Sequence, residues 1–210
     1  TTNMLLKKLI KNLSEENKKK EIKGLAIDSK KVKKDFIFFA IKGHKFNGEN
    51  YINDAILKGA NVIICSEKCK YKSNKVTIIK SKKIRSLLSE ISSKFYKLKP
   101  KNIIAVTGTN GKTSVAGFFC QINVLNKLSV GNIGTLGYYL KKYIKKNNLT
   151  TPDNLDIFRF LNFIKSKKIN RAIIEASSHG LHQGRLSCLK FNSVVFTNLS
   201  HDHLDYHKSM

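Results

Sequence analysis

The chain has 210 residues, 41% of them hydrophobic, which suffices for one or two domains with a buried core and excludes disorder throughout. Its 40 Lys+Arg against 14 Asp+Glu give a formal charge of +26, yet the cations are spread along the chain and nearly all are Lys; solvated lysine faces are expected, and specific nucleic-acid binding is not. No apolar stretch approaches the ~20 residues of a membrane-spanning helix and the N-terminal run is too short for a signal peptide, so a cytoplasmic protein without a membrane partner is expected.

In chain order, apolar residues at helical spacing over 4–13 predict a short amphipathic helix, and 14–21 a polar loop. Strands are expected over 22–28 and 35–41, a loop over 43–48, a helix from Tyr51 ending at Gly59, and a buried strand over 61–65. Residues 76–79 predict another strand, and 84–98 a helix closed by Pro100. These make a small α/β domain over 1–99. The second domain, 100–210, begins with a strand over 103–106 and a helix over 113–126. A glycine-punctuated hairpin over 130–140 follows, then a helix opened by Pro152 and strands over 171–175 and 193–198. Strands alternating with helices imply a mostly parallel sheet, which binds ligands at the carboxyl ends of its strands. Four scattered cysteines (Cys65, Cys69, Cys120, Cys188) lack zinc-site spacing, and free buried thiols in a reducing compartment are expected.

The segment Gly108-Thr109-Asn110-Gly111-Lys112-Thr113-Ser114 carries the strongest chemical signal. It lies between an apolar strand and a helix, where backbone N–H groups and the positive end of the helix dipole favour phosphate. The two glycines let the backbone approach an anion, Lys112 supplies positive charge, and the Thr113 hydroxyl suits Mg²⁺. Val106 stands where the general P-loop pattern has its first glycine, so the match is to a shorter form. Glu175 ends a second strand and Thr197-Asn198 a third, followed by His201-Asp202-His203. A strand-end Glu or His alone is more often solvated, but three strand ends converging on one edge make Glu175, with Thr113 and His203, the candidate Mg²⁺ ligands. Lys112, Glu175 and His203 are then the candidate catalytic residues.

Taken together, Thr-Gly-Thr-Asn-Gly-Lys-Thr, Glu-Ala-Ser-Ser-His and Thr-Asn-Leu-Ser-His-Asp-His-Leu-Asp-Tyr-His resemble the ATP-dependent Mur ligases of peptidoglycan synthesis. Asp28-Ser29-Lys30-Lys31-Val32, Gly43-His44, Thr150-Thr151-Pro152-Asp153 and Ser177-Ser178-His179 through Gln183-Gly-Arg185 add to the resemblance, which covers almost the whole chain. It implies a UDP-sugar-binding first domain, with Ser29 and His44 near the uridine. It also implies an incomplete P-loop ATP-binding domain in which Thr150, Thr151, Ser177, Gln183 and Arg185 contact the muramoyl-dipeptide and its phosphates. The implied reaction adds meso-diaminopimelate or L-lysine to UDP-N-acetylmuramoyl-L-alanyl-D-glutamate through an acyl phosphate, using ATP and Mg²⁺, in a monomer.

Another Mur ligase or a folylpolyglutamate synthase would share the ATP site, but the first-domain motifs and Gln183-Gly-Arg185 argue against both. A charge-driven nucleic-acid-binding protein is the alternative of a different class. Position 30 is Lys where the family commonly has Arg, and position 45 is Lys where an amide is frequent. The family continues beyond the position matching Met210 into a carbamylated lysine, the rest of the sheet and an amino-acid-binding domain. The expectation is therefore that these 210 residues alone do not complete the reaction.

Overall fold

The computed structural model describes residues 3–43, 46–146, 149–201, 206 and 208. The chain divides into two compact units, Thr1–Phe95 and Tyr96–Met210.

The first unit opens differently from its sequence pattern. Met4–Leu5 forms strand β1, followed by a 3-10 turn over Leu6–Lys8, and β1 pairs antiparallel with β2 (Glu21–Ile22). A ten-residue helix in isolation does not repay its nucleation cost, whereas pairing with β2 satisfies the backbone and sinks Leu6, Leu9 and Ile22 almost completely. The expected polar loop contains the short helix α1 (Glu15–Lys18) before β2. The expected strand over 22–28 narrows to β3 (Gly24–Ala26).

β3, β4 (Phe36–Phe39), β5 (Ala60–Ser66) and β6 (Thr77–Ser81) form a parallel sheet in that order. Helix α2 (Ile52–Leu57) precedes β5, and α3 (Ile84–Phe95) follows β6. Parallel sheets are covered on both faces, so their strands read as continuous apolar runs. That is the pattern of Ile37-Phe38-Phe39 and Val62-Ile63-Ile64, all buried. Phe38 and Ile63 join Ile52 and Ala55 of α2 in one core cluster. Ser29, in a 3-10 turn after β3, is buried; the segment after β4 leads toward His44, which lies outside the described residues.

The second unit has a six-stranded sheet. Its strands are β7 (Asn102–Thr107), β8 (Gly131–Gly134), β9 (Gly137–Leu140), β10 (Lys142–Lys145), β11 (Arg171–Glu175) and β12 (Ser193–Phe196), in the order β10-β9-β8-β11-β7-β12. The pairs β8–β11, β11–β7 and β7–β12 are parallel, and β8, β9 and β10 form an antiparallel meander. Alternation along the strands divides the core between two helices. Ile103, Ala105, Ala172 and Ile174 face α5 (Asn154–Ser166) with Ile157, Phe160, Leu161 and Ile164. Val106 and Ile173 face α4 (Lys112–Leu125) with Ala116 and Cys120. Burial pushes the Cys120 thiol up to about 11 and raises the Tyr138 phenol above its ordinary value.

Helix α5 is capped at Asp153, whose carbonyl accepts from the Asp156 and Ile157 N–H groups. Pro152 therefore precedes the cap instead of occupying the first turn. Along β12, at the edge of the sheet, all four residues are exposed. The chain passes from β7 to β8, returns to β11 between them, and then crosses to β12 on the far side of β7. The carboxyl end of β7 is thus the switch point where a parallel sheet opens a ligand crevice.

Candidate active site

Strand β7 ends at Thr107, and the chain turns through Gly108 (φ +135°) and Gly111 (φ +86°) into α4. Both angles lie where L side chains are strained. At Gly108 there is also no room, since a Cβ would stand 2.0 Å from the Thr197 hydroxyl and 2.9 Å from the Asn198 carbonyl. The segment after β12 holds this loop. The Thr109 N–H donates to the Asn198 carbonyl (3.0 Å), the Asn110 N–H to Asn198 Oδ1 (3.0 Å), and the Thr197 hydroxyl to the Asn110 carbonyl (2.6 Å). Two of the loop donors expected to face a phosphate are therefore engaged within the protein. The N–H groups of the first turn of α4, at Lys112, Thr113 and Ser114, have no acceptor within the helix and are the donors left for an anion. Lys112 Nζ donates to the Gly108 and Thr109 carbonyls at 2.6 and 2.9 Å, so its ammonium lies against the loop itself.

On the adjacent strand, β11 ends at Glu175, whose side chain is buried at 1% exposure. The carboxylate accepts three hydrogen bonds. Thr113 Oγ1 donates to Oε2 at 2.9 Å, Thr135 Oγ1 to Oε2 at 3.0 Å, and the Thr135 N–H to Oε1 at 3.2 Å. All three donors are neutral. These bonds fix the carboxyl group beside Thr113 and the N-terminus of α4. Gly134 makes room for it, since a Cβ there would fall 1.9 Å from Oε1.

The residues assigned to the muramoyl-dipeptide also meet here. Thr151 Oγ1 donates to the Glu175 carbonyl (2.7 Å) and accepts from the Ser177 N–H (2.9 Å), while Ser177 caps helix α6 (Ser178–His182) by accepting from the Gly180 N–H. Arg185 Nη1 donates to the Thr151 carbonyl (2.6 Å), and its Nε and Nη2 both donate to Gln183 Oε1 (3.1 and 2.7 Å). The guanidinium fork thus grips a neutral amide oxygen, which in turn fixes Gln183. Thr150 Oγ1 lies 3.1 Å from Thr135 Oγ1. The structure brings together Lys112, Thr113, Glu175, Thr150, Thr151, Ser177, Gln183 and Arg185. Ser29 belongs to the other unit, and His203 lies outside the described residues. Among the described residues no three His, Cys, Asp or Glu side chains gather as a metal cluster.

Sequence reasoning missed Thr135 and Gly134 as parts of the site, and it names Asn198 as a strand end without its part in holding the loop. Gly134 ends β8 and Thr135 follows it, a placement that points to the site only once β8 is seen to lie beside β11.

The Mur ligase middle domain matches residues 106–210, half of the chain, and the catalytic domain of the Mur ligase family matches 21–96. The chain belongs to the Mur ligase family. UDP-N-acetylmuramoyl-L-alanyl-D-glutamate--2,6-diaminopimelate ligase of Wigglesworthia glossinidia brevipalpis is 39% identical to this Mur ligase over 207 residues, covering 94% of the chain and 42% of that protein. A solved structure bearing the same enzyme name superposes with a TM-score of 0.79 at 26% identity, over 98% of this chain and 42% of the other. The MurF ligase of Thermotoga maritima, in complex with ADP, shares the fold with a TM-score of 0.58 and 20% identity, over 88% of this chain and 39% of its own. This Mur ligase chain therefore spans about two fifths of the length of the proteins it matches.

Proposed function

We propose that this chain serves ATP-dependent amide-bond formation in peptidoglycan synthesis, joining 2,6-diaminopimelate to the D-Glu side-chain carboxylate of UDP-N-acetylmuramoyl-L-alanyl-D-glutamate. L-Lysine is the second amine of suitable chemistry, and the relatives' names favour diaminopimelate. The observation that carries the reading is the buried Glu175 carboxylate, 2.9 Å from Thr113 Oγ1 on the strand beside the phosphate loop.

A carboxylate is a poor electrophile and must be activated. Its oxygen takes the γ-phosphoryl group of ATP, releasing ADP and giving an acyl phosphate. The amine then attacks the carbonyl carbon, phosphate leaves with the bonding pair, and the nitrogen loses its proton. In this reading the first-turn N–H groups of α4 hold the phosphates, and Lys112 swings from its loop carbonyls to the transferring group. Thr113 and Glu175 offer an all-oxygen donor set that fits Mg²⁺, with His203 as a further ligand. When bound, the metal neutralises charge on the phosphates. Thr150, Thr151, Ser177, Gln183 and Arg185 orient the muramoyl-dipeptide, and the first unit, through Ser29 and His44, takes the uridine end.

The same reading makes the protein a cytoplasmic monomer with no specific nucleic-acid partner. Among the described residues no helix is long and apolar enough to cross a membrane. Calorimetric titration of the chain with ATP and Mg²⁺, and separately with UDP-N-acetylmuramoyl-L-alanyl-D-glutamate, tests the assignment. Both ligands are expected to bind. Lys112→Ala should weaken ATP about 10- to 100-fold by removing a charge-assisted contact, while leaving the UDP-sugar affinity unchanged. Equal ATP affinity in the variant would remove Lys112 from the site, and no binding of either ligand would overturn the reading.

A further inference from the structure

We propose that Thr135 is a positioning residue that aims the Glu175 carboxylate at the cation position and ties it to the acceptor segment at Thr150. The inference rests on the ligase reading above. Thr135 opens the turn between β8 and β9 and contributes two donors to one carboxylate, its N–H to Oε1 and its hydroxyl to Oε2. A carboxylate gripped on both oxygens by a single residue cannot rotate about its terminal bond without losing both contacts. The orientation therefore belongs to Thr135 more than to Thr113, which reaches Oε2 only.

The proton bookkeeping gives the network a direction. A threonine hydroxyl has one proton and two lone pairs. Thr113 spends its proton on Oε2, which leaves its lone pairs for a cation. Thr135 likewise spends its proton on Oε2. In the 3.1 Å contact between the Thr135 and Thr150 hydroxyls, Thr150 is then the donor. Thr151 Oγ1 donates to the carbonyl of the same Glu175, so in its 3.1 Å contact with the Ser177 hydroxyl, Ser177 is the donor. Thr150 and Thr151 are thus tied to Glu175 at opposite ends of that residue, one through Thr135 and one directly. A cation held by the carboxylate would be coupled through these bonds to the segment of Thr150 and Thr151.

Thr135 itself is exposed, so a threonine kept only for packing is a poor account of it. Groups that orient a metal ligand typically change metal affinity 10- to 100-fold when removed. The test measures ADP affinity of the full chain by calorimetry with and without Mg²⁺, for the unaltered protein, Thr135→Val and Thr135→Ser. Thermal unfolding confirms that each variant is folded. Valine keeps the N–H and the volume but removes the hydroxyl; serine keeps the hydroxyl.

Metal-free ADP affinity should be the same in all three, because the phosphate loop is untouched. The Mg²⁺ concentration needed for half-maximal enhancement should rise about 10-fold or more in Thr135→Val and return to within about threefold of the unaltered protein in Thr135→Ser. An unchanged Mg²⁺ requirement in Thr135→Val, or a serine variant as impaired as the valine one, would overturn the proposal while leaving the ligase reading standing. Failure of the unaltered chain to bind ADP under either condition would overturn both.

Discussion

Replacing Gly134 by Ala tests the most demanding contact in the site. The added Cβ would stand 1.9 Å from Glu175 Oε1, 2.4 Å from Cδ and 2.8 Å from Cγ, so the whole end of the side chain has to move. Glu175 has nowhere to go cheaply, being 1% exposed and held by three hydrogen bonds. Forcing extra volume into a packed site costs about 1–3 kcal/mol, and each hydrogen bond lost to a charged group about 1.5–3 kcal/mol. Even when two of the three bonds survive, the variant should lose about 2.5–6 kcal/mol, a large part of the 5–15 kcal/mol that typically separates folded from unfolded. Gly117 is the control, because it lies inside α4 with nothing within 4 Å of its would-be Cβ. Gly117→Ala should stabilise by about 1 kcal/mol through helix propensity. Urea unfolding followed by hydrogen exchange in peptides from residues 96–210 reads both effects in the unit that contains them. A Gly134→Ala protein that unfolds at the same urea concentration as the unaltered chain, with its Mg²⁺-dependent ADP binding intact, would refute the geometry given for Glu175.

The cysteines should separate by reactivity. Cys188 is exposed, against the expectation that all four thiols are buried, so maleimide at neutral pH should label it alone, and urea should release the other three. Burial pushes Cys65 up to about 12, with the neighbouring Cys69 adding to the shift, from an ordinary value of 9.0. The unfolded thiol therefore loses its proton first as pH rises, and stability of the first unit should fall between about pH 9 and 12, with a smaller fall in Cys65→Ala. Asn154 is buried and donates to the carbonyls of Arg185 and Ser187 at 3.0 and 2.9 Å, so Asn154→Ala should cost about 1–3 kcal/mol in unfolding and weaken the UDP-sugar further by loosening Arg185. Val194 and Phe196, 62% and 63% exposed on edge strand β12, should promote non-specific aggregation at high concentration without a defined oligomer; Val194→Lys with Phe196→Lys should abolish it in sedimentation runs without lowering the unfolding temperature.

The elements most legible in the sequence are those whose own residues dictate their environment. Arg171–Glu175 is a strand by β-branched content and burial, and the structure gives it those same bounds. The β7–α4 unit follows equally well, since two glycines between an apolar strand and an amphipathic run leave the backbone few alternatives. The N-terminal segment shows the opposite case. Met4, Leu6 and Leu9 satisfy a helical period, but their burial depends on a partner, Ile22, that the period does not contain. Periodicity records which residues are buried; it does not record where the backbone finds its hydrogen bonds.

The same distinction governs the site. Lys112, Thr113 and Glu175 can be named from sequence because each lies next to a strand end and carries a side chain suited to phosphate or a cation. Thr135 and Gly134 carry no such mark. Their contribution is geometric, one supplying two donors at the correct separation and the other an absence of atoms, and both become visible only when β8 is known to lie beside β11. Asn198 differs again, because the sequence marks it only as a strand end ahead of candidate metal ligands, whereas its carbonyl and amide oxygen are what hold the Thr109 and Asn110 N–H groups. Those bonds also change what the loop can do. With two donors committed to the 198 segment, fewer backbone N–H groups remain for phosphate, and a larger share of its recognition falls to Lys112 and the first turn of α4. An anion site built with fewer fixed dipoles depends more steeply on its mobile charge, which is why the Lys112 substitution should be felt in ATP affinity itself and not only in turnover.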